Sequence, residues 1–183
     1  MNHAHLHALA QTLAHSTHPD DPAAARYAEA ARRHLASEPI VHIRATKWIT
    51  TLHRYELFVD EHGRTPRENT RARHTLHDDE RHLGEWGRYQ RRYEQQLNAY
   101  QRARLEVSPA FEWDLRAANW HRNLTACHLH RLQTGHLPRL NGEDATEFAL
   151  ARWLGRQLRR LQRRQLEDEQ DRQLNALLNS WRT

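Results

Sequence analysis

WITTLHRYELFVDEHGRTP, residues Trp48–Pro66, and WHRNLTACHLHRLQTGHLP, residues Trp120–Pro138, are one design written twice. Each opens on tryptophan with leucine four residues on, reaches glycine after 15 residues, and places proline 3 residues beyond it. A second tryptophan follows at Trp86 and Trp153, and a closing one at Trp113 and Trp181. The last interval is 27 residues in the first copy and 28 in the second. Only the proline-to-tryptophan interval differs, at 20 against 15 residues, which reads as a loop insertion. All six tryptophans of the chain fall in this register. A repeat of this size means two small units, each with a core built around large aromatic side chains.

Apolar residues inside each unit keep a helical period. Trp48, Leu52, Tyr55 and Val59 share one helix face, and Gly63 stands where a left-handed residue closes a helix. Trp120, Leu124, Cys127 and Arg131 hold the same register, with Gly135 to Pro138 as the turn. In the first unit a polar loop from Arg64 to Thr75 leads to a helix starting near His77–Glu80, where Asp78, Asp79 and Glu80 suit the positive end of the helix dipole. That placement makes the His77–His82 run a capping segment rather than a nuclease cluster. Leu83, Trp86, Gln90, Tyr93 and Leu97 are the expected buried stripe of this helix. A third helix carries Tyr100, Ala103, Leu105 and Val107, and Phe111 and Trp113 close the unit. The second unit offers Leu150, Trp153, Leu154, Leu158 and Leu161, then Leu174, Leu177, Leu178 and Trp181. No segment sustains a period of two, so strands are not expected.

Residues 1–44 lie outside the repeat. Leu6, Leu9, Ala10 and Leu13 are at helical spacing among histidines, in a stretch expected to fray at its start. Asp20 or Asp21 followed by Pro22 starts a second helix through Leu35, since aspartate caps free amides and proline fits the first turn. Pro39, Ile40, Val41 and Ile43 end it. The expectation is an all-α protein: a helical segment at 1–44 packed on the first unit, one repeat at 45–115, and a second at 116–183.

The 183 residues carry 28 basic and 23 acidic side chains, a net charge of +5, and Lys47 is the only lysine. A GC-rich genome explains the arginine preference, and a planar five-donor guanidinium also suits phosphates. One cysteine, Cys127, excludes an intramolecular disulfide and a paired-cysteine metal site, and its register with Tyr55 makes it a packing residue. No apolar run approaches the roughly 18 residues of a membrane span. The first residues lack a signal-peptide core. These features lead us to expect a soluble, cytoplasmic protein, nucleoid association included, with no membrane partner.

The ordered series of Trp-x3-Leu, Gly-x2-Pro, Leu-Gly-x-Trp-x3-Gln-Arg and a distant Phe-x-Trp resembles the helicase-associated domain. That domain is a small all-helical bacterial module found in tandem beside some helicases and in helicase-free proteins. The first unit carries the series as Trp48, Leu52, Gly63, Pro66, Leu83-Gly84-Glu85-Trp86, Gln90-Arg91-Arg92, Leu105, Phe111 and Trp113. The second keeps Trp120, Leu124, Gly135, Pro138, Leu150, Trp153, Gln157, Leu174 and Trp181, but has Ala151 for the glycine and Leu158 for the first arginine. The resemblance covers residues 45–183 and implies three-helix units that bind nucleic acid. The chain has no Walker A pattern and no room for a helicase motor.

The arginines supply the candidate surface. Between Arg152 and Arg164 there are six arginines and no acid. At about 100° per residue, Leu150, Leu154, Leu158 and Leu161 fall on one side of a helix, and Arg152, Arg156, Arg159, Arg160 and Arg163 on the other. The first unit contributes Arg88, Arg91 and Arg92 on its second helix, Arg102 and Arg104 on its third, and Arg64, Arg67, Arg71 and Arg73 in its loop. Like charges along one helix repel, and a polyanion relieves them; Glu167, Asp168, Glu169 and Asp171 are the internal alternative.

The expected function is non-enzymatic binding of nucleic acid, foremost duplex DNA, through phosphates, with the two units as adjacent half-footprints. The alternatives are an adaptor that docks on a helicase or another DNA-processing enzyme, and a DNA-coating protein that self-associates. The tryptophans, tyrosines and phenylalanines are expected in cores. No cofactor and no metal site are expected, although His3, His5, His7, His128 and His130 raise the question. Sixteen histidines lead to the expectation that DNA affinity rises as pH falls toward about 6.

Overall fold

In a computed structural model, residues 2–68 and 73–179 are described. Eight α-helices and two short 3₁₀ turns make up the regular structure of those residues, and they include no strand. The helices are α1 (His3–Thr17), α2 (Pro22–Leu35), α3 (Ile43–His62), α4 (Asp78–Arg92), α5 (Ala99–Glu106), α6 (Leu115–Thr134), α7 (Ala145–Gln162) and α8 (Asp168–Asn179). The protein is all-α. It divides into unit one, residues 1–113, and unit two, residues 114–183. Trp181 lies outside the described residues.

Local chemistry sets the helix ends. The Asp21 carboxylate accepts from the amides of Ala23 and Ala24, and Pro22 occupies the first turn of α2. Its other oxygen accepts from the Ala99 amide at 3.1 Å, joining the start of α2 to the start of α5. Gly63 and Gly135 adopt left-handed φ values of 64° and 77°, and the amide of each returns to the last turn at 2.8 Å. Asp114 and Asp144 cap α6 and α7 through paired amide contacts. Ser37 and Arg164 are the two positive-φ residues without glycine's freedom among those described, and each follows a helix end.

Unit one packs α1 and α2 against α3 and α5, with α4 on α3. Its core holds Trp48, Ile49, Leu52, Tyr55, Leu83, Tyr100, Leu105 and Phe111, with Trp86 and Trp113 partly buried against it. The expected face of α1 needs correction. The buried residues are His7, Ala10 and Ala14, while Leu9 and Leu13 are exposed. Small alanines allow close helix approach, and His3 and His7 near the start of α1 reach Glu56 and His53 on α3. The second helix of unit one also stops sooner than its apolar stripe suggested. It ends at Arg92, a 3₁₀ turn spans Glu94–Gln96, and α5 begins behind an Asn98–Gln101 capping box.

Unit two is α6, α7 and α8 around Trp120, Leu124, Cys127, Trp153, Leu154, Leu174 and Leu177. The two cores share their register and exchange volume. Beside Tyr55, Gly87 leaves the space that a Cβ would need, with the tyrosine ring 3.0 Å from that position. The equivalent pair in unit two is Cys127 and Leu154, both buried in the same core. A large residue on the first helix meets a small one on the second in unit one, and the reverse holds in unit two.

Candidate nucleic-acid interface

The repeat extends from sequence to contacts. Trp48 and Trp86 meet at a tilt of 54° with ring centroids 6.0 Å apart, and Trp120 and Trp153 meet edge to face at 60° with centroids 5.3 Å apart. The amide that follows each turn proline donates to a carboxylate in the first turn of the next helix: Arg67 to Glu80 at 3.0 Å, and Arg139 to Glu147 at 2.9 Å. The first tryptophan of each unit donates from its indole nitrogen to a glutamine. In unit one the acceptor is Gln90 on α4, at 3.0 Å, and in unit two it is Gln173 on α8, at 2.8 Å.

On this shared frame the arginines divide into two groups. In unit one most of them face carboxylates. Arg64 holds Glu80 at 2.6 Å and lies over the Phe58 ring. That pairing keeps the Glu80 carboxyl below the usual carboxylate range. Arg91 pairs with Glu68, donates to the Glu112 carbonyl at 2.8 Å and lies over Phe111. Burial pulls its guanidinium pKa down. Arg54, Arg81 and Arg102 pair with Asp79, Asp78 and Glu94. Arg67, Arg88 and Arg92 are exposed, and Arg92 lies over the Tyr93 ring. Arg71 and the side chain of Arg73 lie outside the described residues.

Arg104 is not on the surface at all. It is fully buried and sits 2.8 Å from the buried Glu56 carboxylate through each of two nitrogens. Ser108 Oγ donates to the same carboxylate at 2.6 Å, and His3 Nδ1 lies 2.9 Å from it. The Arg104 Nε donates to His7 Nδ1 at 3.3 Å, Tyr100 hydroxyl meets that same nitrogen, and His7 Nε2 lies 2.7 Å from His53 Nε2. With its Nδ1 accepting, His7 carries its proton on Nε2 and donates to His53. Burial first, and then the nearby cations, hold His7 at about 2 and His53 at about 3. This network is a structural device: it fastens α1, α3 and α5 together.

Unit two is different. Arg152, Arg156, Arg159, Arg160, Arg163 and Arg164 are all exposed, and none forms an ion pair among the described residues. Arg152 lies over Phe148, and Arg160 donates to the Gln165 carbonyl at 2.9 Å. Among the described residues the other four have no such anchor. Arg163 caps the C-terminus of α7, and Arg164 follows in left-handed conformation, so the ridge continues past the helix. The acids at 167–171 do not neutralise it: Glu169 pairs with Arg172 on α8 instead. Unit two carries twelve arginines against eight acids, and unit one sixteen basic residues against fifteen acids. The excess positive charge therefore belongs mainly to unit two.

Most aromatic side chains are in the cores, but Tyr89 and Phe148 are exposed, which corrects the expectation that all are buried. The Cys127 thiol is buried and pushed up to about 11, which leaves it protonated and unreactive. No described helix is long and apolar enough to cross a membrane. No family model, curated protein or solved structure matches the chain.

Proposed function

We propose that this protein binds nucleic acid without catalysis, gripping the phosphate backbone of duplex DNA with the arginine ridge of α7. One observation carries the reading: six exposed arginines lie between 152 and 164 with no acid in that stretch of sequence and no carboxylate partner among the described residues, whereas most described arginines of unit one face a carboxylate. Such a row is costly for an isolated protein and favourable beside a polyanion, where each neutralised phosphate releases counterions. Arg67, Arg88 and Arg92 are the exposed cations through which unit one would add to the contact. The resemblance to tandem helicase-associated repeats agrees with this reading.

The test is fluorescence anisotropy with labelled duplex at several salt concentrations. Six phosphate contacts give a log–log salt slope of about −5, and Arg156→Ala with Arg159→Ala and Arg163→Ala reduces it by about 3. Between 50 and 200 mM salt the parent loses roughly a thousandfold in affinity and the triple variant roughly sixteenfold. No binding at the lower salt concentration would sink the reading.

The adaptor alternative has a specific observation of its own. Leu129, Leu132 and Leu140 are exposed in unit two, Leu132 at 82 %. Exposed leucines suit a protein partner better than a phosphate backbone. Binding to a DNA-processing enzyme that is lost in Leu132→Asp, with duplex binding absent, would favour that reading.

A further inference from the structure

Glu80 and Glu147 occupy the same repeat position and receive the same backbone amide, yet their other partners differ in kind. In unit one the second partner is Arg64, one residue past the helix-ending glycine, with Phe58 beneath it. The equivalent positions in unit two are His136 and His130. A guanidinium over a phenyl ring has been replaced by two imidazoles around a carboxylate.

We propose that His130, His136 and Glu147 form a site for a divalent transition-metal ion, zinc or a similar borderline ion, which takes the place of the Arg64 cation in unit two. The three ligand atoms lie within 4.8 Å of one another. His130 Nε2 is 3.3 Å from Glu147 Oε1, yet it is buried and has no hydrogen-bond partner. A separation of about 3.3 Å is the ligand–ligand edge of a tetrahedron with bonds of about 2.0–2.1 Å. His136 Nδ1 lies 3.0 Å from the Leu137 carbonyl, and a bond there fixes the tautomer and leaves Nε2 with its lone pair free. The Arg139 amide and Asn141 side chain orient the carboxylate, at 2.9 and 3.3 Å. Two imidazoles and one carboxylate suit zinc-like ions rather than calcium or magnesium, and leave a fourth position for solvent. The bound ion ties the end of α6 to the first turn of α7, as the Arg64–Glu80 pair ties α3 to α4.

The chain contains a second grouping of similar composition, His3, His53 and Glu56, and it lacks this capacity. Glu56 already accepts from Arg104 Nη2 and Ser108 Oγ, lies 2.9 Å from His3 Nδ1, and has Arg104 Nη1 2.8 Å away, so its charge is already balanced by a guanidinium. The buried guanidinium also repels a second cation. This grouping therefore serves as the internal control.

The experiment uses the full chain without a histidine tag, stripped with EDTA and titrated with cobalt(II), whose visible absorption reports ligand geometry, and then with zinc as competitor. One equivalent of cobalt is expected to bind with the intense bands of a four-coordinate ion and to be displaced by zinc. Two variants restore the unit-one residues, His136→Arg and His130→Phe. Each is expected to weaken cobalt binding by more than the roughly 10–100-fold that loss of a mere outer partner costs. His136→Arg is expected to fold without metal, because it rebuilds the ion pair that unit one uses. His3→Ala is expected to bind cobalt as the parent does. Absence of binding by the parent overturns the proposal. So does binding that survives both unit-two variants, or that disappears in His3→Ala.

Discussion

Replacing Glu56 by glutamine tests whether unit one depends on its buried charge network. Glu56 and Arg104 are both fully buried, with two contacts of 2.8 Å between them. Glu56→Gln keeps the shape and removes the negative charge, so a guanidinium is left without a counterion in the core. Breaking a buried pair this way costs about 3–5 kcal/mol. With a urea dependence of about 1–3 kcal/mol per molar, the midpoint of unit one falls by about 1 M or more. The double variant Glu56→Gln with Arg104→Met removes the stranded charge, and it is expected to recover at least half of that loss. Peptide-resolved hydrogen exchange across a urea series separates unit one from unit two, with peptides from α3 and α5 as the readout. A loss below about 1 kcal/mol in the single variant refutes the reasoning, as does a double variant whose loss equals the sum of the two single ones.

His7 and His53 make unit one sensitive to acid. Held at about 2 and about 3 by burial, against an ordinary 6.5, they refuse protons that the unfolded chain accepts. Their stabilising neutrality is complete above about pH 6.5 and declines below it, by up to about 1.4 kcal/mol per histidine per pH unit. The denaturation midpoint of unit one should drop steeply between about pH 6.5 and 5, and a flat profile would count against the neutral pair. Two glycine substitutions should have opposite signs. Gly84→Ala drives a Cβ into the Arg67 carbonyl and should destabilise by about 1–3 kcal/mol, whereas Gly155→Ala meets nothing within 4 Å and should gain about 0.5–1 kcal/mol in thermal or urea unfolding. Arg91→Ala should lower stability, because it vacates Glu68, the Glu112 carbonyl and Phe111, while leaving the salt slope of DNA binding unchanged.

The sequence read well where physics is local and periodic. The tryptophan register, the left-handed glycines, the Asp21–Pro22 start and the unit-two ridge each depend on a short stretch of chain. Long-range pairing of charged residues was not legible. Glu56 and Arg104 look like surface residues until α3 and α5 are packed, although each has a weak signal in its register: Glu56 lies four residues after buried Leu52, and Arg104 sits between buried Ala103 and Leu105. The buried face of α1 was missed because leucine outweighs alanine in any hydrophobicity reading, while close packing selected the small side chains. The pairing of Arg64 and Arg91 was hidden for a similar reason. Whether an arginine is free or committed depends on where distant glutamates fall.

Comparing the two units position by position separates what the scaffold requires from what the surface does. Trp86 and Trp153 coincide, as do Gln90 and Gln157, and these face inward. The ridge residues Arg152, Arg156, Arg159 and Arg160 correspond to Glu85, Tyr89, Arg92 and Tyr93. Only one of those four cations has a counterpart, so the ridge is not a by-product of the shared frame. Unit one instead presents a tyrosine pair on this face, with rings 4.5 Å apart, Tyr89 at 53 % exposure and Arg92 over Tyr93. Aromatic rings beside an arginine favour planar groups, whereas a row of arginines favours phosphates. On the proposed function the two units would therefore contribute unequally to a duplex contact, the larger share falling to α7. Tyr89→Ala should weaken binding to single-stranded DNA and leave the duplex salt slope unchanged, because the counterion-releasing charge sits on α7. A variant that changed duplex and single strand equally would show that the two faces share one contact chemistry after all.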